Sequence, residues 1–108
     1  MEEAETLTAF AALSNATRLR ILRLLVSAGP AGLRAGEIAE AVGASPSRAS
    51  FHLSGLSKAR LVTSSQTARE VVYRADLQAI GGMIRYFMED CCSENEQIRA
   101  CCFGAKDC

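Results

Sequence analysis

Residues 34–59 of the chain read RAGEIAEAVGASPSRASFHLSGLSKA, and this stretch decides the fold. Apolar residues at helical spacing predict a short helix over its first nine positions, and Gly43 follows where left-handed helix caps favour glycine. Ser45 and Pro46 start a second helix at once, because serine caps helix N-termini and proline costs nothing in the first turn. The second helix runs to the end of the stretch and is predicted to bury Ala49, Leu53 and Leu56.

A β-hairpin is predicted after these two helices. The β-branched runs 61–64 and 70–74 flank the polar segment 65–69, a pattern typical of paired antiparallel strands. Two helices joined by a short glycine-containing turn and followed by a hairpin make a winged helix-turn-helix. In that unit the second helix enters the major groove of DNA.

Three further helices are predicted, over about residues 3–13, 15–27 and 76–90. The fold class is therefore mostly α with a β-hairpin. The first and last helices carry more apolar surface than one small core can bury, which predicts an interface with a partner. The residues expected at that interface are Leu7, Phe10, Met83, Ile84 and Phe87.

Charge is distributed unevenly although the net charge is zero. Residues 17–74 hold nine Arg and Lys against three Glu, a balance of +6, while the segments before and after each carry −3. A basic centre between acidic ends suits a polyanion-binding core, although ordinary surface charge would give the same totals.

The predicted DNA contacts lie on the second helix of the unit and on the hairpin. Short hydroxyls and an arginine at a reading helix reach phosphates or base edges, and an arginine at the tip of a wing reaches a minor groove or flanking phosphates. Arg60 is expected to contact a phosphate. The remaining candidates are Ser47, Arg48, Ser50, Phe51, His52, Lys58 and Arg69. For His52, a DNA or helix-packing role is favoured over metal binding, because no second His and no Cys is near it in sequence.

All five cysteines lie in the last eighteen residues, as Cys91-Cys92, Cys101-Cys102 and Cys108. Adjacent cysteines rarely bridge each other, so the two vicinal pairs predict a thiolate site rather than a disulfide framework. Residues 1–90 are therefore assigned to the DNA-binding and dimerisation domain, and residues 91–108 to a sensing tail.

Three sulfurs without histidine suit a trivalent metalloid, arsenic or antimony. Cys91 and Cys92 with one of Cys101 and Cys102 are the predicted ligands, and Cys108 is expected to be dispensable. Zinc would want four ligands, usually at C-x-x-C spacing. Cadmium, copper(I), a redox or persulfide switch and inert cysteines remain as alternatives.

The chain resembles the ArsR/SmtB family of metal-responsive repressors. The matching segments are LSNATRLRIL at 13–22, ASPSRASFHL at 44–53 and REVVYR at 69–74. The resemblance implies a homodimer built through the first and last helices, which presents two reading helices to a palindromic operator. It also implies repression relieved by an inducer, which the cysteines predict to be trivalent arsenic or antimony. Two sensory sites of the family are missing: residues 33–37 lack a cysteine pair, and Asp76 stands without histidine on the last helix. The resemblance to arsenic-responsive members therefore places sensing on the C-terminal cysteines.

Other classes of protein fit less well. A thiol-rich metal carrier would not need the helix-turn-helix, and an architectural DNA-binding protein would not need the cysteines. No acid pair, phosphate-binding glycine loop or Cys–His pair indicates an enzyme. The chain has no apolar run long enough for a membrane span and no basic start typical of a signal peptide, so we expect it in the cytoplasm, where thiols stay reduced.

Overall fold

The computed structural model describes residues 1–91 and 93–104, apart from the side chain of Cys91. Five helices and a small sheet form its main body, and a sixth helix follows. The helices are α1 Glu3–Leu13, α2 Ala16–Ala28, α3 Ala35–Val42, α4 Pro46–Lys58, α5 Leu77–Arg85 and α6 Glu96–Cys102. The strands are β1 Leu33–Arg34, β2 Val62–Thr67 and β3 Glu70–Ala75. No described helix is long and apolar enough to cross a membrane.

The predicted helix boundaries are confirmed by their caps. The side chain of Asn15 accepts a hydrogen bond from the Arg18 backbone N–H at 3.1 Å at the start of α2. Ser45 caps α4 in the same way, accepting from the Arg48 N–H at 3.3 Å. Gly43 ends α3 with φ of 67° and ψ of 33°, the left-handed conformation that glycine adopts without steric cost. These caps fix the α3–turn–α4 unit locally.

The hairpin is longer and its turn tighter than predicted. Strands β2 and β3 pair from Val62 opposite Ala75 to Thr67 opposite Glu70, which leaves only Ala68 and Arg69 as the turn. Ala68 has φ of 57°, a conformation that alanine seldom adopts, so the sequence carried no signal for so short a connection. Arg69 nevertheless lies at the tip, as predicted.

A third strand was not predicted. Strand β1 pairs antiparallel with β3, giving the sheet order β1-β3-β2, with Leu33 opposite Tyr73. Gly32, with φ of 67°, makes this pairing possible, because a Cβ there would come within 2.5 Å of the Tyr73 carbonyl oxygen. The sheet therefore ties the start of α3 to the hairpin.

The core lies between α2, α3, α4 and the base of the hairpin. Its largest fully buried side chains are Ile21, Leu25, Ile38, Leu53, Leu56 and Leu61. Leu19 and Val26 of α2 are each 46% exposed, whereas Leu22 and Leu25 of the same helix are buried. Ile21 is fully buried and takes part in the core from the same helix.

The last helix does not keep α-helical geometry to its end. After Arg85 the backbone continues as a π-helical segment, Tyr86–Cys91, in which each hydrogen bond spans one residue more than in an α-helix. Asp76 caps α5 through a 3.0 Å hydrogen bond from the Ala79 N–H. The tail, for which a short helix was expected near residues 93–99, forms α6 as far as Cys102.

Candidate nucleic-acid interface and C-terminal cysteine site

The N-terminal half of α4 presents polar side chains to solvent. Ser47, Arg48 and Ser50 are exposed, and Phe51 keeps 61% of its surface accessible. Ala49, by contrast, is fully buried in the core on the opposite face of the helix. Four of the five predicted reading-helix side chains are therefore exposed to solvent.

Some of the central arginines are engaged within the protein. Arg34 pairs with Glu70 at 2.8 Å and with Glu37 at 3.1 Å. Arg74 donates a 2.7 Å hydrogen bond to the Pro30 carbonyl. Arg60, predicted to contact a phosphate, lies 3.4 Å from the Glu5 carboxylate, although its side chain is 77% exposed. The excess positive charge of the middle segment is thus partly used to hold the fold.

A second set of cations forms no ion pair with any described residue: Arg20, Arg23, Arg48, Lys58 and Arg69. All five are exposed. Two lie where the sequence placed them, Lys58 at the C-terminal end of α4 and Arg69 at the hairpin tip. Arg48, Lys58 and Arg69 lie on α4 and the hairpin, the two elements that a winged helix-turn-helix places against a duplex.

His52 differs from its neighbours on α4 because it is buried, with 9% of its surface exposed. Its Nδ1 accepts a 3.1 Å hydrogen bond from Nε of Arg18 on α2. The guanidinium of Arg18 also lies 5.5 Å from the centre of the Phe51 ring, within the range of a cation–π contact. A Cβ on Gly55 would come within 2.6 Å of that guanidinium, so glycine is what leaves room for it. Of the roles proposed for His52, helix packing is directly visible.

The protonation state of His52 follows from these contacts. An imidazole nitrogen that accepts a hydrogen bond carries no proton, so the ring is neutral with its proton on Nε2. Burial lowers the pKa of His52 below its ordinary value, and the positive charges of Arg18 and Arg48 lower it further. The ring therefore stays neutral at pH 7.

This lowered pKa predicts that the folded state loses stability in acid. Below the ordinary histidine pKa of about 6.5, His52 becomes protonated in the unfolded chain but remains neutral in the folded protein. Because the unfolded state binds more protons, the free energy of unfolding decreases as pH falls. Urea unfolding at pH 7.5 and pH 5.5 should show a smaller decrease for His52→Gln, whose amide oxygen still accepts from Arg18. An equal decrease in both proteins would contradict the neutral assignment.

A polar cleft opens beside His52 and is called the His52 cleft below. It has a volume of about 410 Å³ and lies between the start of α2, the α3–α4 turn and α4. Its polar lining consists of Thr17, Arg20, Ser45, Arg48 and His52, and no carboxylate lines it. Thr17, Arg18 and Arg20 were not among the sequence candidates. Their arrangement around His52 depends on contacts across 30 or more residues, which no local pattern reveals.

The described part of the C-terminal site lies on α6. Cys102 has a free, exposed thiol, and Cys101 before it is disulfide-bonded. Among the side chains that the structure describes, no three His, Cys, Asp or Glu groups converge as a metal site. Cys92, Cys108 and the side chain of Cys91, three of the predicted tail thiols, lie outside the described residues.

Helix α6 folds back along the end of the preceding helix. The Glu94 N–H donates a 2.8 Å hydrogen bond to the Met88 carbonyl in the turn between them. A cleft of about 290 Å³ is lined by Ile84 and Met88 on one side and by Arg99 and Phe103 on the other. Arg99 and Phe103, which flank the Cys101-Cys102 pair in sequence, therefore lie beside the helix that ends at Cys91.

The exposed reading helix, its glycine turn and the three-stranded wing define a winged helix-turn-helix DNA-binding protein. Residues 13–65 match the family model described as a helix-turn-helix domain. The solved structure of an ArsR-like transcriptional regulator from Rhodococcus sp. RHA1 is 31% identical in sequence. The match covers 90% of this chain and 89% of that one, with a TM-score of 0.74. The chain belongs to the ArsR family of transcriptional regulators, which are not enzymes.

Two further structures resemble the chain. One is the homodimeric winged helix-turn-helix DNA-binding domain Mb0332 from Mycobacterium bovis, described as a possible ArsR-family regulator; it is 26% identical over 81% of this chain and 84% of that one, with a TM-score of 0.64. The other is the AntR antimony-specific transcriptional repressor, 27% identical over 87% of this chain and 85% of that one, with a TM-score of 0.63. No curated protein matches the chain.

Proposed function

We propose that the protein is a homodimeric repressor that binds operator DNA and is released when trivalent arsenic or antimony binds its C-terminal cysteine thiolates. The observation that supports this proposal is the return of α6: Arg99 and Phe103, on either side of a vicinal cysteine pair, share a cleft with Ile84 and Met88 of the preceding helix. An antimony-specific repressor among the similar structures supports the choice of inducer.

The donor set fits a metalloid. The only histidine of the chain is His52, which is buried on α4 and bonded to Arg18, so the tail supplies sulfur but no imidazole. Soft sulfur donors without nitrogen favour arsenic and antimony over zinc. In the binding step each thiol loses its proton and replaces one hydroxyl of arsenous acid, and each exchange releases one water.

The coupling to DNA would run through the dimer face. Ligation fixes α6 against the end of the last helix, where Ile84 and Phe87 are 46% and 44% exposed. If the ligated tail fits only one dimer geometry, the two reading helices lose their spacing on the operator. A coupling free energy of about 1–3 kcal/mol per site is enough for such a response.

The direct test compares operator binding with and without inducer. An operator selected by the wild-type protein from random duplexes should lose affinity by about 5- to 150-fold when arsenite or antimonite is added in a reducing buffer. Fluorescence anisotropy of the labelled duplex measures this loss. Unchanged affinity with both metalloids would contradict the proposed inducer.

The dimer is proposed on a continuous apolar face. Phe10 of α1 and Phe87 meet edge to face, 5.8 Å between ring centres, and join the two terminal helices. Leu7 is 61% and Ile84 is 46% exposed on the same two helices, and exposed apolar side chains grouped in this way mark an interaction surface. Met83, also expected at the interface, is only 6% exposed and belongs to the core of the protein. The homodimeric M. bovis domain supports the same assembly.

Ile84→Glu is therefore expected to dissociate the dimer. A buried unpaired carboxylate costs several kcal/mol, and two-fold symmetry places one in each half of the interface, so the dimer dissociation constant should rise by about 100-fold or more. Sedimentation velocity at micromolar concentration measures it. Val71→Glu, an equally apolar and exposed position on the hairpin, is the matched control and should remain dimeric. A monomeric wild-type protein would overturn the proposal.

The disulfide at Cys101 favours one alternative function, a thiol-based redox-responsive repressor of the same fold. In such a protein, two thiols form a disulfide by losing two protons and two electrons in total. Hydrogen peroxide accepts these protons and electrons and is reduced to two waters. Release from the operator by peroxide, with no response to arsenite, would establish this alternative.

A further inference from the structure

We infer that the His52 cleft is a phosphate pocket that takes one backbone phosphate of the DNA duplex, held by Arg20 and Arg48 at its sides and by the Nε2–H of His52 at its base. The inference rests on the proposed DNA binding. It also adds α2 to the interface and gives His52 a contact that does not read a base.

The lining of the cleft offers donors. Arginine has N–H donors and no acceptor, and both Arg20 and Arg48 lie here without an ion pair to any described residue. Base edges present both donors and acceptors, whereas a phosphate presents only acceptors. Because no carboxylate lines the cleft, its chemistry selects an anion.

His52 supplies the part of the pocket that is built in advance. Its side chain is 91% buried, since 9% of its surface is exposed, and Arg18 occupies Nδ1, which leaves Nε2–H as the polar atom available to a ligand. The hydrogen bond of His52 to a described residue is made by Nδ1, and Nε2 is not fully shielded from solvent, so a ligand can reach it. Arg18 is itself held in place, because its guanidinium lies against the Phe51 ring and occupies space that a side chain at position 55 would fill. The orientation of the imidazole is therefore fixed before a ligand arrives.

The position of the cleft identifies the anion as part of the duplex. It lies beside the first turns of α4, where Ser47 and Ser50 point toward the groove that α4 is proposed to enter. Arg20 comes from α2, so a phosphate bound here would be clamped between two helices and would fix how deeply α4 enters the groove. Phosphate contacts of this kind set the register of a protein on DNA without reading sequence.

The first test uses Arg20→Ala, with Arg23→Ala as its matched control. Arg23 is exposed one turn further along α2 and does not line the His52 cleft. Arg20→Ala should weaken binding to the selected operator and to a random duplex by a similar factor, about 10-fold. It should also reduce the slope of log affinity against log salt by about 1. Arg23→Ala should leave both unchanged, and an unchanged slope for Arg20→Ala would overturn the inference.

The second test locates the phosphate. Operators carrying a single uncharged methylphosphonate are scanned across the flanks of each half-site. At one linkage the substitution should weaken the wild-type protein about as much as Arg20→Ala does and should cost the Arg20→Ala protein nothing more. The inference would be overturned if the losses caused by Arg20→Ala and by the methylphosphonate added at every linkage. It would also be overturned if inorganic phosphate bound at the His52 ring but no linkage showed this dependence on Arg20. If the wild-type protein binds no duplex, the proposed function itself fails, so the two failures are distinguishable.

Discussion

Replacing Arg48 and Ser50 together by alanine is expected to weaken operator binding by about 30-fold or more, because each lost DNA contact costs about 1–3 kcal/mol. Both side chains are exposed on α4, and Arg48 pairs with no described carboxylate, so their removal leaves the core intact. Anisotropy titration of the selected operator measures the loss, and circular dichroism checks that the fold and its melting temperature are retained.

The matched control is Arg23→Ala with Ser27→Ala, the same two chemical changes on the exposed face of α2. This variant should bind the operator as the wild-type protein does. If the α4 variant keeps full operator affinity, α4 is not the reading helix. If both variants lose affinity equally, the effect reflects total charge rather than a placed contact.

Features that a few neighbouring residues determine were predictable from the sequence. The caps at Asn15 and Ser45 and the left-handed Gly43 each depend on one local hydrogen bond or one backbone angle, and they fixed the helix-turn-helix. Ala49, Leu53 and Leu56 are buried as their helical spacing predicted. The family assignment from the sequence is confirmed by the comparisons.

Features set by distant contacts could not be predicted. Strand β1 forms because Gly32 lets the chain approach Tyr73 closely. The two-residue turn at Ala68 and Arg69 contains no glycine or asparagine, the residues that usually indicate such a turn in a sequence. His52 is buried because Arg18, 34 residues earlier, reaches its ring. The π-helical segment after Arg85 likewise has no local sequence signal that we recognise. The sensing role of the cysteines stays a prediction.

The inducer response is expected to depend on particular cysteines rather than on their number. Cys91→Ser and Cys92→Ser should each bind the operator with wild-type affinity yet show no loss of affinity with arsenite, whereas the wild-type protein should lose about 5- to 150-fold. The reason is position: these two cysteines adjoin the helix that carries Ile84 and Phe87 of the proposed dimer face. Anisotropy titrations of each variant, with and without arsenite in a reducing buffer, measure the difference.

Cys108→Ser is the matched control, because it makes the same chemical change at the one tail cysteine that is not among the predicted ligands. It should respond to arsenite as the wild-type protein does.

The double variant Cys101→Ser/Cys102→Ser tests whether the site needs a third sulfur. The probe is a monomethylated arsenical, which accepts only two thiolates. Full release of this variant from the operator would mean that Cys91 and Cys92 form a complete site. Two results would contradict metalloid sensing. One is that arsenite still releases every variant in which a single cysteine is replaced by serine, and the other is that peroxide releases the wild-type protein from the operator while arsenite has no effect. Since oxidation of the thiols also removes the metalloid ligands, each titration needs a reduced sample in which Cys101, disulfide-bonded in the structure, has first been returned to its thiol.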